Sequence, residues 1–68
     1  MSVYKVIEII GASEKSWEHA AKTAVDRAAK TLHGIRVAEV VEQDLKIETG
    51  KVSSYRIKLK VSFKFKDK

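Results

Sequence analysis

Two periods alternate along the chain. Residues 3 to 10, VYKVIEII, are rich in β-branched side chains and bounded by Gly11, which predicts a strand. From Trp17 the period lengthens. Trp17, Ala20, Ala21, Ala24, Val25, Ala28 and Leu32 recur at the i, i+3, i+4, i+7 spacing of one helical stripe, and Glu18, Lys22, Asp26, Arg27 and Lys30 fall on the other side. Ser13 is the expected N-cap, Glu14 sits in the first turn where the helix dipole favours an acid, and Gly34 supplies the C-terminal stop. Residues 35 to 47 and 52 to 66 return to the two-residue period of strands. In the last strand Tyr55, Ile57, Leu59, Val61, Phe63 and Phe65 share one face, and Arg56, Lys58, Lys60, Lys64 and Lys66 share the other. In the strand before it, Ile35, Val37, Val41, Leu45 and Ile47 form the apolar set, with Arg36, Glu42, Asp44 and Lys46 opposite.

Between these two strands lies ETGK, which predicts a hairpin. A three-residue loop with Gly50 last, in the left-handed region, pairs Ile47 with Lys51 and places Glu42 opposite Arg56. A loop shifted by one residue places Asp44 there instead. Either register keeps apolar opposite apolar; a two-residue loop is expected to break that match. The acids of the second strand therefore lie beside the bases of the third, on the face turned away from the helix. At least one of Glu42 and Asp44 is expected to pair with Arg56 or Lys58.

The element order is β-α-β-β, an α+β chain with a three-stranded antiparallel sheet and one helix, forming a single domain over residues 1–68. Composition changes this picture in one respect. A chain of 68 residues buries only about 60 % of its unfolded surface, and a stripe made mostly of alanine adds little apolar area. Small scaffolds compensate with disulfides, metals or oligomerisation. Cysteine is absent, which removes disulfides and thiolate metal sites. His19 and His33 lack the partners of a zinc motif. Self-association is the remaining expectation. Trp17, the one tryptophan, is expected as a core or interface anchor.

The formal charge is +5, with 14 Lys and Arg against 9 acids. That permits an anionic ligand or nucleic acid along Arg56, Lys58, Lys60 and Lys64, but alternation of lysines with apolar residues is ordinarily the solvated face of a sheet. No apolar run approaches the roughly 18 residues of a membrane span, and the N-terminal segment does not resemble a signal peptide, so a soluble cytoplasmic protein is expected. No nucleophile–base–orienter set, Gly-rich phosphate loop or paired-His metal motif is visible. The chain reads as a binding protein, not an enzyme.

The segments VYKVIEIIGAS, WEHAAKTAVDRAAKTL, IRVAEVVEQ and YRIKLKVSFKF resemble the dodecin family across nearly the whole chain. The resemblance implies a sheet wrapped around the helix, assembly into a hollow homododecamer, and sequestration of a small ligand, most often a flavin. Flavin-binding members carry a stacking Trp where this chain has Val37, and a flavin-contacting Gln where it has Arg56; Glu42 falls in the same implied pocket. With both principal contacts replaced, tight flavin binding is not expected. MSVYKVI, SWE, IRVA, EQD and YRIKL resemble a flavin-poor branch, the calcium dodecins, which implies Ca²⁺ as the ligand. Candidate oxygen donors are Ser13, Glu14, Ser16 and Glu18 around the helix start, and the acids Glu42 and Asp44 on the second strand. Calcium requires six to eight oxygens, which one protomer supplies poorly and symmetry-related copies could complete.

Overall fold

The computed structural model describes residues 3–64. It contains strand β1 (Tyr4–Ser13), helix α1 (Trp17–Ala28) and the long strands β2 (Ile35–Glu48) and β3 (Lys51–Lys64). The strands form one antiparallel sheet in the order β1-β3-β2, so the last strand is central. Phe65 and Lys66, assigned above to the two faces of the last strand, lie outside the described residues.

β1 runs past Gly11 to Ser13. Gly11 is not a terminator but a contact point: a Cβ there would lie 2.5 Å from the Ala20 carbonyl oxygen and 2.9 Å from the Ala24 Cβ. Its bare Cα lets the alanine stripe of α1 lie directly on the strand. The N-cap is Ser16, not Ser13. Its extended backbone (φ −171°, ψ 166°) and its hydroxyl, accepting from the His19 backbone N–H at 3.0 Å, satisfy one of the orphan donors of the first turn. The helix also stops before Gly34. It ends at Ala28 and unwinds through a tight turn, with the Thr31 and Leu32 N–H groups donating to the Ala28 carbonyl. Gly34, at φ 75°, instead turns the chain into β2, and its carbonyl accepts from the Lys64 N–H.

The hairpin turn is the shorter one. Glu48 pairs with Lys51 across Thr49 and Gly50, which take φ of 50° and 75°. Positive φ at both central residues matches the right-handed strand twist. A two-residue turn alone would have mismatched the faces, but Ser53 is extruded between the Ile47–Val52 and Lys46–Ser54 pairs, and this bulge restores the match. Two more irregularities extrude Val41 and Arg36 from β2. Each bulge reverses the alternation beyond it. The β2 residues level with the inward row of β3 are therefore Leu45, Gln43, Val40, Ala38 and Ile35, opposite Tyr55, Ile57, Leu59, Val61 and Phe63. Val37, expected within the apolar set, lies opposite Ser62 on the other face.

Packing is confined to one side of the sheet. Ala20, Ile57, Leu59 and Val61 are buried, with Ile7, Ile9, Trp17, Ala21, Ala24, Val25 and Ile35 packed around them. The helix rests on β1 and β3. The hairpin reaches beyond it, giving a longest dimension of 51 Å and a radius of gyration of 13.9 Å, against about 11 Å for a compact domain of this length. Among the described residues no helix is long and apolar enough to cross a membrane.

Candidate functional site

The face of the sheet opposite the helix is built from three rows of side chains. Central β3 contributes Arg56, Lys58, Lys60, Ser62 and Lys64. Register places Ala12 and Asp44 on either side of Arg56, Ile10 and Glu42 beside Lys58, Glu8 and Glu39 beside Lys60, and Val6 and Val37 beside Ser62. In the register Lys60 stands between carboxylates of both edges, whereas Arg56 and Lys58 each face an acid on β2 and an apolar residue on β1.

Asp44 and Arg56 make the tightest contact on this face. The Arg56 Nε donates to Asp44 Oδ1 at 2.8 Å, and its Nη2 donates to Oδ2 at 3.0 Å. This bidentate fork fixes the planes of both groups. Those hydrogen bonds hold the Asp44 carboxyl below its ordinary range and raise the Arg56 guanidinium above its own. Lys58 serves two acids, with its Nζ 3.9 Å from Glu8 Oε1 and 4.0 Å from Glu42 Oε1. The expected pairing across β2 and β3 is present, in the register that sets Asp44 against Arg56.

Asp44 is held from the other face as well. The Trp17 indole N–H donates to the Asp44 carbonyl at 3.1 Å, and the indole meets the Tyr55 ring edge-on, with centroids 5.3 Å apart and planes at 80°. The first residue of the helix therefore positions the strand segment that carries the Arg56 partner. Sequence reasoning identified Trp17 as an anchor but not its strand contact, and it passed over Glu8. The alternation of Glu8 with Val6 and Ile10 could have placed that carboxylate on this face.

Around this ion pair lies a shallow recess of ≈ 210 Å³, lined by Ile10, Glu42, Asp44, Arg56, Ile57 and Lys58. Arg56 and Glu42, two of the three residues expected from the resemblance to lie in a ligand pocket, line it. Val37, the third, is on the same face two rows away and 59 % exposed; its carbonyl accepts from the Ser62 hydroxyl at 3.4 Å. No indole stands at that position, and the guanidinium is clamped by a carboxylate. Arg56 and Lys58 in the basic row are likewise paired with acids, which weakens it as a nucleic-acid track.

The helix-start donors divide into two kinds. The Ser13 hydroxyl, largely buried, accepts from the Lys15 N–H at 2.9 Å and lies 2.7 Å from His19 Nδ1. Donation of its proton to that nitrogen satisfies both contacts. Ser16 is occupied as the cap. Glu14 and Glu18 are exposed, and neither enters an ion pair among the described residues. Within one protomer's described residues no group of three or more acids and histidines is placed to hold a metal.

The family model described as Dodecin matches residues 3–66. The calcium dodecin of Mycobacterium tuberculosis is 56 % identical over 66 residues, covering 97 % of this chain and 93 % of that protein. A crystal structure of the M. tuberculosis calcium dodecin, described as calcium-chelating with a novel calcium-binding site, superposes with a TM-score of 0.85 at 57 % identity, covering 96 % of this chain and 93 % of the other. The dodecin of Streptomyces coelicolor superposes with a TM-score of 0.93 at 31 % identity, covering 98 % and 96 %. With matched sequence, matched topology and nearly complete coverage in both directions, the chain belongs to the dodecin family.

Proposed function

We propose that the protein is a non-catalytic binding and storage protein that assembles into a homododecamer and takes up Ca²⁺ in place of a flavin. The observation that carries this reading is the occupant of the open-face recess. Arg56 is engaged by both oxygens of Asp44, and an aliphatic residue, Val37, stands where a flavin-binding relative would present its stacking ring. A valine offers no π-face, so the stacking energy of an aromatic ligand is forfeited. The relative at 56 % identity is a calcium dodecin, which supports the cation.

The ligand set follows from what each oxygen already does. Asp44 is committed to Arg56, Ser13 to Lys15 and His19, and Ser16 to the helix cap. Glu14 and Glu18 remain as exposed carboxylates free of ion pairs among the described residues. Two carboxylates cannot complete a shell of six to eight oxygens, so the proposed site draws on more than one protomer and on water, with Ser13 and Ser16 shaping the loop. Assembly is supported independently by the extended hairpin and by exposed Val40, Val41, Leu45 and Ile47 on β2.

Calorimetric titration of the purified particle with Ca²⁺ tests this. Binding is expected in the native protein and is expected to weaken at least tenfold in Glu14→Gln/Glu18→Gln. Unchanged binding in that variant overturns the ligand assignment. Absence of binding by the intact particle overturns the calcium reading, and a folded species with the mass of one 7.7 kDa chain in light scattering overturns the assembly. Strong quenching of riboflavin fluorescence at micromolar protein would restore the flavin reading.

A further inference from the structure

We infer that the groove between α1 and β2 is the seat for the hairpin tip of a second copy of this chain, which lays its Ile47–Val52 pair there. This rests on the assembly named in the proposed function and not on the calcium reading; it names the two surfaces through which copies meet.

The groove, of ≈ 420 Å³, has Ala38, Val40 and Leu59 from the sheet on one side and Ala21 and Val25 from the helix on the other. All five are apolar, and Val40 stays exposed although its cross-strand partner Leu59 is buried. The hairpin tip offers the matching surface. Ile47 and Val52 are direct cross-strand partners, one pair back from the Thr49–Gly50 turn, and they are 55 % and 49 % exposed. The bulge at Ser53 sets them on the helix side of the sheet, past the point where the helix begins. Val40 and Ile47 lie about 20 Å apart along β2. Both belong to one hydrogen-bonded ladder, so a tip cannot fold back into the groove of its own protomer.

Area identifies the occupant as another copy. The protomer exposes 5322 Å² of surface, against about 4300 Å² for a compact monomer of 7.7 kDa. The excess of about 1000 Å² is the size that one partner buries in a stable specific interface, about 800 Å². Charge permits the approach. At the groove mouth Lys22 and Asp26 are paired with each other at 3.1 Å, and at the tip Lys46 and Glu48 are paired at 3.5 Å. Glu18 at the mouth and Lys51 at the tip are of opposite sign. Tip and groove are different patches of the same chain, each complementary to the other, so the contact can repeat from copy to copy around a closed ring.

The chain has no cysteine, which makes disulfide trapping a direct test. Ala21→Cys/Val52→Cys, oxidised as the assembled protein, is expected to give covalent species of two or more chains on denaturing electrophoresis. These are expected to collapse on reduction and to be absent from either single variant. Independently, Ile47→Lys/Val52→Lys is expected to lose the assembled species in light scattering while keeping the native circular dichroism, because neither residue belongs to the core. Should that variant not fold, Val40→Lys gives the same reading from the groove side. Particles of native mass in the lysine variants, or an assembled double-cysteine variant that forms no cross-link, overturn the inference and leave assembly standing. A native protein that runs as single chains overturns the assembly itself, and this inference with it.

Discussion

β1 and β2 flank the same central strand and carry similar aliphatic side chains, but the helix covers only one of them. On the β1 side, Ile7 and Ile9 pack into the core and Gly11 brings the backbone of α1 against the sheet. On the β2 side, a groove of ≈ 420 Å³ remains between helix and strand, bordered by Ala21, Val25, Ala38, Val40 and Leu59. Leu59 and its direct cross-strand partner Val40 show the contrast in one pair, at 1 % and 50 % exposure. Burial here follows the position of the helix, not the hydrophobicity of the strand. The β2 half is held within the protomer by its ladder, the Trp17 hydrogen bond and the Asp44–Arg56 fork. Its apolar residues await a second surface.

This contrast is broken most directly at Leu59. Leu59→Ala removes a fully buried side chain and is expected to cost about 2–5 kcal/mol, read by chemical denaturation. Val40→Ala is expected to have little effect on the fold of a protomer and to act on assembly, lowering particle stability in light scattering against denaturant. Equal losses of protomer stability at the two positions would show that the β2 half is as tightly packed as the β1 half.

The close approach at Gly11 gives the next effect. Gly11→Ala sets a methyl group against the Ala20 carbonyl and the Ala24 side chain. Neither neighbour has a flexible end to move aside. Overpacking of this kind costs about 1–3 kcal/mol, and a lowered thermal midpoint with retained helical circular dichroism is expected. A neutral or stabilising outcome would mean that the helix rides freely over β1.

The smallest effect is expected at Asp44, which lies on the exposed side of the β2 half. Because its folded pKa is depressed by Arg56, the pair contributes stability that is fully present above the ordinary aspartate value of 3.8 and is lost as pH falls through the lower folded value. Native protein is thus expected to exceed Asp44→Asn in stability at neutral pH, with the difference vanishing below both values. A constant difference across that range would assign the loss to packing instead of charge.

Much of the fold and part of the site are legible in the residues. The alanine stripe from Ala20 to Ala28 predicts which side of the helix is buried, because a helix of period 3.6 must present one face to the core. The alternation from Tyr55 to Lys64 predicts both faces of β3, and with them the meeting of acids and bases on the open side. The N-cap was misplaced because Ser13 and Ser16 both satisfy local capping preference. What distinguishes them is that Ser13 is still in register with Tyr55 on β3.

What the sequence by itself determined is therefore the set of elements, the inward row of the central strand and the poverty of the core, since these depend on local period and on the volumes of the side chains present. Only the tertiary structure decided the register of β2. The bulges at Ser53, Val41 and Arg36 have no local signature; they arise where a strand must match its partner's apolar row and its partner's twist together. They move Val37 to the open face, bring Val40 to the inward one and align Asp44 with Arg56. The same is true of Trp17 and Lys58, whose partners lie on strands far along the chain and meet them only once the sheet has closed.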